Sequence, residues 1–267
     1  MELRIENLDL FQNKKQILKN MSLTAKAGQV TGIIGPNGCG KSSLLRCIYG
    51  AVLPGNGRVL LNGQESHRFT RRALARNLAV VLQSQTSDLG LTVLETVLLG
   101  RIPHKPTFGG NRKEDLALAR ESLARTGITH LEDRAFSTLS GGEKQRALIA
   151  RSLSQTPKIL LMDEPTNHLD ILQQYEILEL VKSLGITVLL VLHDLNLAAT
   201  FCEKIYAMQN GQLIARGTPE TLLTNKLIQA LYGIDSLVDQ HPARGHPRIT
   251  FNHPRFNHTE RTVYEVH

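Results

Sequence analysis

Gly35-Pro36-Asn37-Gly38-Cys39-Gly40-Lys41-Ser42 is the stretch from which the rest of the chain is read. The octet fits G-x-x-x-x-G-K-[ST], with the apolar run Val30–Ile34 before it and a helical pattern over 41–49 after it. Glycines at these positions let the backbone fold tightly, so that successive N–H groups point at phosphate oxygens. The helix start adds partial positive charge at the same place. In such a loop Lys41 reaches the β- and γ-phosphates of a nucleoside triphosphate, and Ser42 ligates Mg²⁺. The expected cradle is Gly35, Pro36, Asn37, Gly38, Cys39, Gly40, Lys41, Ser42 and Ser43. A glycine-rich strand-to-helix turn without a ligand is the plain alternative, but it gives the Lys-Ser pair no reason to be there. Cys39 has no Cys or His partner nearby and reads as a small filler rather than a nucleophile.

Outward from this loop, short apolar runs alternate with helical patterns. Leu3, Ile5, Leu8 and Leu10 approximate a strand whose alternation slips near Asn7. Residues 58–61, ahead of Asn62-Gly63, read as one arm of a hairpin, and 78–82, 159–162 and 187–192 read as buried strands. Helical patterns cover 93–99, 112–125, 142–153, 170–183 and 194–202, and Asn210-Gly211 marks a second hairpin turn. Strands alternating with helices predict an α/β chain whose parallel sheet is covered on both faces. The mostly helical stretch 84–155 predicts a lobe of its own. No internal repeat is visible, so the chain carries one copy of the unit.

Three of the apolar runs end in polar residues suited to phosphate chemistry. The run 159–162 leads into Asp163-Glu164, and ligands of open α/β sheets bind at that carboxyl edge. There Asp163 holds the Mg²⁺ shell and Glu164 polarises an attacking water. Two acids after a strand can also merely start the next helix. His193 follows the run 187–192 and Gln83 follows 78–82. Each is weak evidence alone, since a lone His at a strand end is usually structural and Gln83 also suits a surface amide.

Composition narrows the class further. The chain has 267 residues, 41% of them hydrophobic, enough for a substantial core. No apolar run approaches the roughly 18–20 residues of a membrane helix, so a transport role requires other chains to cross the bilayer. The N-terminus lacks the apolar segment of a signal peptide. Cys39, Cys47 and Cys202 are too scattered for a disulfide framework or a zinc site, which suits a reducing cytoplasm. The formal charge of +7 is compatible with nucleic acid, an anionic membrane surface or phosphorylated ligands. Without a reader motif or a long Lys/Arg block, no nucleic-acid partner is expected.

Leu139-Ser140-Gly141-Gly142-Glu143-Lys144-Gln145-Arg146 resembles the LSGGQ signature of ABC ATPases, with Glu143 where glutamine is most often found. Asn167-His168-Leu169-Asp170 is similar to the D-loop, His193 to the switch histidine, Gln83 to the Q-loop glutamine and Phe11 to the aromatic A-loop position. The resemblance spans nearly the whole chain except the last ~25 residues and rests on motifs in their right context. It implies a P-loop NTPase core with a RecA-like parallel sheet, an antiparallel β subdomain and a helical subdomain. In domain terms it implies one ABC ATPase domain over 1–250, helical part about 84–155, and a histidine-containing tail over 251–267.

Several roles follow from the resemblance alone. Phe11 stacks on adenine, although a Phe there also suits the core. Ser140, Gly141 and Gly142 close over the ATP held by a second copy, and Asp170 lies at that seam. Gln83 contacts the Mg²⁺ and the attacking water. Two membrane-spanning permease subunits and, indirectly, a substrate-binding protein are the further partners, with the chain peripheral on the cytoplasmic face of the inner membrane. Leu91 to Glu95, Gly100-Arg101-Ile102-Pro103-His104, Phe108-Gly109 and a closing strand around Asp239 to Pro247 resemble the importer branch for iron–siderophore complexes, haem and cobalamin. The competing classes are a non-transport ABC ATPase acting on DNA or ribosomes, and a regulatory nucleotide-binding subunit without turnover. His241, His246, His253, His258 and His267 invite a metal-sensing tail, but their spacing fits no compact site and a solvated end is the simpler reading.

Overall fold

A computed structural model describes residues 1–82, 90–105 and 113–252. The chain opens with β1 (Leu3–Gln12), β2 (Lys15–Ala25), β3 (Val30–Ile34), α1 (Lys41–Ile48), β4 (Asn56–Leu61), β5 (Gln64–Glu65), α2 (Arg71–Asn77) and β6 (Leu78–Val81). Three helices follow: α3 (Val93–Leu98), α4 (Lys113–Arg125) and α5 (Gly141–Ser154). Then come β7 (Ile159–Asp163), α6 (Ile171–Ser183), β8 (Thr187–Val191), α7 (Leu195–Phe201), β9 (Lys204–Gln209) and β10 (Gln212–Gly217). The described chain closes with α8 (Pro219–Leu222), α9 (Asn225–Tyr232), β11 (Asp235–Gln240) and β12 (Pro247–Asn252).

The central sheet has the order β10-β9-β3-β8-β7-β6, parallel except for the edge strand β10. Every residue of β3, β7 and β8 is buried, as parallel strands covered on both faces must be. Their alternating side chains feed two cores. Leu160, Met162, Val188 and Leu190 join the apolar faces of α5, α6 and α7. Ile159, Leu161, Leu189 and Val191 join Leu44, Leu45 and Ile48 of α1 and the inner face of β1 and β2. Those two strands belong to a separate antiparallel sheet, β2-β1-β4-β5. The slip expected near Asn7 is a bulge: Asn7 has φ 48° and the β1–β2 register shifts between Ile5 and Leu8.

Residues 90–105 and 113–155 hold helices and short turns, with one isolated bridge between Thr92 and Ala135. A third apolar cluster lies among them, including Val97, Leu123, Phe136 and Leu139. Helix α5 serves both sides: Ala147 and Ala150 face this cluster, Ile149 and Leu153 face the sheet. The 99–104 turn sits close against α5, since a Cβ on Gly100 would lie 2.0 Å from the Arg151 carbonyl oxygen. Arg101 then donates to Asp115 Oδ1 at 2.8 Å and to the Ser154 carbonyl at 2.7 Å, with both ionic side chains buried.

The closing strand expected near Asp239 is a hairpin of β11 and β12, packed on α9 and α7. β12 continues through Asn252, so Phe251 and Asn252, placed by sequence in the tail, belong to this hairpin. His253, His258 and His267 lie outside the described residues. Among the described residues no helix is long and apolar enough to cross a membrane.

Arg101→Ala removes the guanidinium that pairs with the buried Asp115 carboxylate. A loss of about 3–5 kcal/mol in chemical denaturation is the expected result. A loss below about 1 kcal/mol, the scale of an exposed pair, would contradict the structural role given to this ion pair.

Candidate nucleotide site

β3 ends at Ile34 and the loop that follows turns back before α1. A Cβ on Gly35 would lie 2.1 Å from the Met208 carbonyl oxygen, so the loop can press against β9 only with glycine there. Gly40, at φ 106°, caps α1 in a left-handed conformation. Neither a capping side chain nor an acid occupies the first turn of α1, which leaves its N–H groups free to meet an anion. The Cys39 carbonyl accepts the Gly211 N–H at 3.0 Å, so the Asn210-Gly211 hairpin turn braces the loop from behind. Burial pushes the Cys39 thiol up, which fits a filler better than a nucleophile.

A cavity of about 610 Å³ opens over this loop. Asn37, Gly38 and Gly40 line it from the loop, and Lys41, Ser42 and Ser43 from α1. Lys41 Nζ donates to the Gly35 carbonyl at 2.8 Å and the Pro36 carbonyl at 3.1 Å. Across the cavity stand Glu164 and His193, whose side chains pair through Oε1 and Nε2. Asn167 also lines it and donates to Glu164 Oε2 at 2.6 Å. Glu164 has φ 51°, a left-handed conformation unusual for a carboxylate residue, and its N–H donates to the Val191 carbonyl at 3.2 Å. This turn aims the carboxylate inward.

Asp163, the last residue of β7, is buried beside Ser42, and its Oδ1 has no hydrogen-bond partner among the described residues. Burial pushes its carboxyl up; the Ser42 hydrogen bond and the positive charge of Lys41 and Arg46 oppose that, and Glu164 adds to it. An unsatisfied buried carboxylate oxygen next to a hydroxyl is a donor set that fits a hard divalent cation.

The other sequence-selected residues fall elsewhere. Phe11, half-exposed near the end of β1, does not line the cavity; its ring packs against Gly55, and its neighbour Gln12 lines the cavity instead. Gly35, Pro36 and Cys39 do not line the cavity; Gly35 and Cys39 are buried. Ser140 caps α5 in a reciprocal box, donating its N–H to Glu143 Oε2 at 2.7 Å while its hydroxyl accepts the Glu143 N–H at 3.4 Å. That N–H, foremost, holds the Glu143 carboxyl below its ordinary value. Ser140 and Gly141 are exposed and line no part of the cavity; Gly141 and Gly142 abut Leu169 and Gln173 instead. Asp170 caps α6, accepting the Gln173 N–H at 2.8 Å. Gln83 lies outside the described residues.

Asn167, Gln12 and Ile17 were not singled out as site residues, yet all three line the cavity. Only Asn167 carries a usable signal, standing one turn beyond Glu164 where an amide can reach the carboxylate.

A carboxyl raised by burial costs stability once ionised: the penalty is absent when it is protonated in both states and complete above its raised folded value. At neutral pH the ionised Asp163 therefore destabilises the metal-free chain. Asp163→Asn is expected to unfold no lower than wild type without ligands in a thermal melt, yet to lose the stabilisation that Mg²⁺ and ATP give wild type. A variant that melts lower without ligands, or keeps the full Mg²⁺–ATP shift, contradicts this assignment.

The family model described as ABC transporter matches residues 18–167. The ferric enterobactin transport ATP-binding protein FepC of Escherichia coli (strain K12) is 40% identical over 251 residues, covering 92% of this chain and 93% of FepC. The hemin import ATP-binding protein HmuV of Pseudomonas entomophila (strain L48) is 40% identical over 255 residues, covering 92% of this chain and 98% of HmuV. Among solved structures, a metal-chelate type ABC transporter in an inward-facing conformation superposes with a TM-score of 0.83 at 27% identity, over 94% of this chain and 97% of that one. A phosphate loop across one cavity from Glu164 and His193, within a chain so closely matched to transport ATP-binding proteins, identifies this protein as an ATP-hydrolysing member of the ABC transporter family.

Proposed function

We propose that two copies of this chain clamp two Mg²⁺–ATP molecules between them and that hydrolysis powers uptake of an iron chelate, a siderophore complex or haem, through membrane-spanning permease subunits. The observation that carries the reading is the separation of two anion-binding ends. The phosphate loop, Glu164 and His193 share one cavity, while Ser140 heads an exposed helix start outside it. A second copy placed face to face supplies its Ser140, Gly141 and Gly142 to the open side of that cavity, an isologous arrangement.

Each residue then has a defined task. Asn37, Gly38, Gly40, Lys41, Ser42 and Ser43 hold the triphosphate, with Lys41 leaving the Gly35 and Pro36 carbonyls for the β- and γ-phosphates. Ser42 and Asp163, with Gln83, hold the Mg²⁺, which offsets the phosphate charge when bound. Glu164 orients the attacking water and accepts its proton; His193 and Asn167 fix that carboxylate. Phe11 offers adenine a face worth about 1–3 kcal/mol by analogy with stacked bases. Asp170, at the turn on which the signature rests, lies at the seam between copies.

ATP adds binding free energy to the closed pair because only there does it touch both halves; hydrolysis removes the bridge and the pair opens. In this reading the stroke passes to membrane-spanning subunits, with the chain peripheral on the cytoplasmic face of the inner membrane; relatives named as transport and import ATP-binding proteins support that reading. The seat of those subunits is a groove of about 660 Å³ of mixed polarity, lined by Tyr49, Leu74, Leu78 and Leu99 with Arg71, Arg151 and Gln155. The cargo follows from the two relatives, named for ferric enterobactin and for hemin. A substrate-binding protein delivers it outside the membrane.

Glu164→Gln keeps the shape of the site and removes the proton acceptor. This variant is expected to bind ATP, to dimerise in gel filtration with ATP present, and to turn over at least about 100-fold more slowly. Hydrolysis at the wild-type rate would remove Glu164 from the water-activating role.

A further inference from the structure

The C-terminal hairpin is tied to the hydrolytic edge of the central sheet by one side-chain amide. β11 and β12 form a sheet of two strands, so the outer edge of β12 has no strand beside it. At Ile249 a side chain closes that edge: Asn196 Oδ1 accepts the Ile249 N–H at 2.7 Å, and Asn196 Nδ2 donates to the Ile249 carbonyl at 3.1 Å. An amide that engages both main-chain groups of one residue stands in for a neighbouring strand. One turn on, Thr200 donates to the Asn196 carbonyl at 2.7 Å, and its Oγ1 lies 3.3 Å from His246 Nε2 of the same hairpin. Ile249 joins the buried cluster that holds Leu195, Leu197 and Ala198 of α7.

What this clamp fixes lies three residues upstream. His193 stands in the turn between β8 and α7, and the one hydrogen bond its ring makes among the described residues is to Glu164. A ring held by a single bond takes its aim from the backbone on either side. Upstream, the Leu192 N–H donates to the Ile33 carbonyl at 3.1 Å and fixes the turn to β3. Downstream, Asp194 Oδ1 accepts the Asn196 and Leu197 N–H groups at 2.7 and 3.0 Å, and the Asn196 side chain then ties that capped turn to β12. We propose that Asn196 is a positioning residue for ATP hydrolysis: by holding the first turn of α7 on β12, it keeps the His193 ring against the Glu164 carboxylate. The C-terminal hairpin thereby takes part in turnover. The proposal rests on the reading of His193 and Glu164 as hydrolytic groups.

Asn196→Ala removes both bonds to Ile249 and leaves every side chain of the nucleotide site unchanged. In the purified full chain, kcat is expected to fall about tenfold, within the ~100-fold that a 1 Å misplacement can cost, with KM for ATP changed less than about twofold. A role confined to stability would lower the melting temperature and leave the kcat of the folded chain as it is. Under single-turnover conditions, adding Asn196→Ala to His193→Ala is expected to cause no further loss, because the ring to be aimed is gone. An unchanged kcat, or the same tenfold loss in the His193→Ala background, overturns the proposal. If Asn196→Ala does not fold, Thr200→Val decides: it removes the weaker tie, and kcat is expected to fall about two- to threefold. A wild-type kcat in that variant overturns the proposal as well. His193→Ala alone tests the hydrolytic role of His193, so failure of that premise is seen separately.

Discussion

The site depends on one constraint, the register of three buried parallel strands. Ile33 of β3 and Asp163 of β7 both pair with Val191 of β8. The phosphate loop, the acid pair and His193 therefore leave the sheet at one level, on adjacent strands spaced by about 4.8 Å. Slipping any of these strands by one residue would turn its side chains to the opposite core and carry its catalytic group out of line. The two apolar cores, each filled by alternate residues of the same strands, are what forbid that slip. Packing and chemistry are thus fixed by the same ladder.

The charged groups at that edge hold partners within the chain. Lys41 rests on two carbonyls, Glu164 is shared between His193 and Asn167, and Asp163 keeps an oxygen unpaired. In the proposed function, a triphosphate with its cation would engage all of these at once. The signature is prepared in a different way. The capping box engages the Ser140 oxygen as an acceptor and leaves its proton free to be donated outward, and the glycine at Gly142 lets α5 start against Gln173.

Much of this was legible in the sequence because the elements that build the site obey simple local rules. Fully buried strands read as unbroken apolar runs, so β3, β7 and β8 emerge with nearly their observed bounds. Asn62-Gly63 and Asn210-Gly211 take the left-handed turns their residue types favour. What was not legible depends on tertiary contact. β2 alternates lysines and asparagine with apolar residues and bears no turn signal of its own; its pairing with β1 makes it a strand. α2 buries no residue fully, and α9 packs against β11 and β9. The Arg101–Asp115 pair has no local signature, since it matters through groups distant in sequence.

The central claim is that each ATP is held by the phosphate loop of one copy and the signature of the other. Chains carrying Lys41→Ala and chains carrying Ser140→Arg are each inactive as homodimers on this account. In a mixed dimer both defects fall in one of the two sites, and the other site is assembled entirely from intact halves. ATP hydrolysis by tandem-purified mixed dimers, compared with each homodimer, measures this directly. Recovery of turnover only in the mixed dimers is the predicted result; mixed dimers as inactive as the homodimers would contradict shared sites.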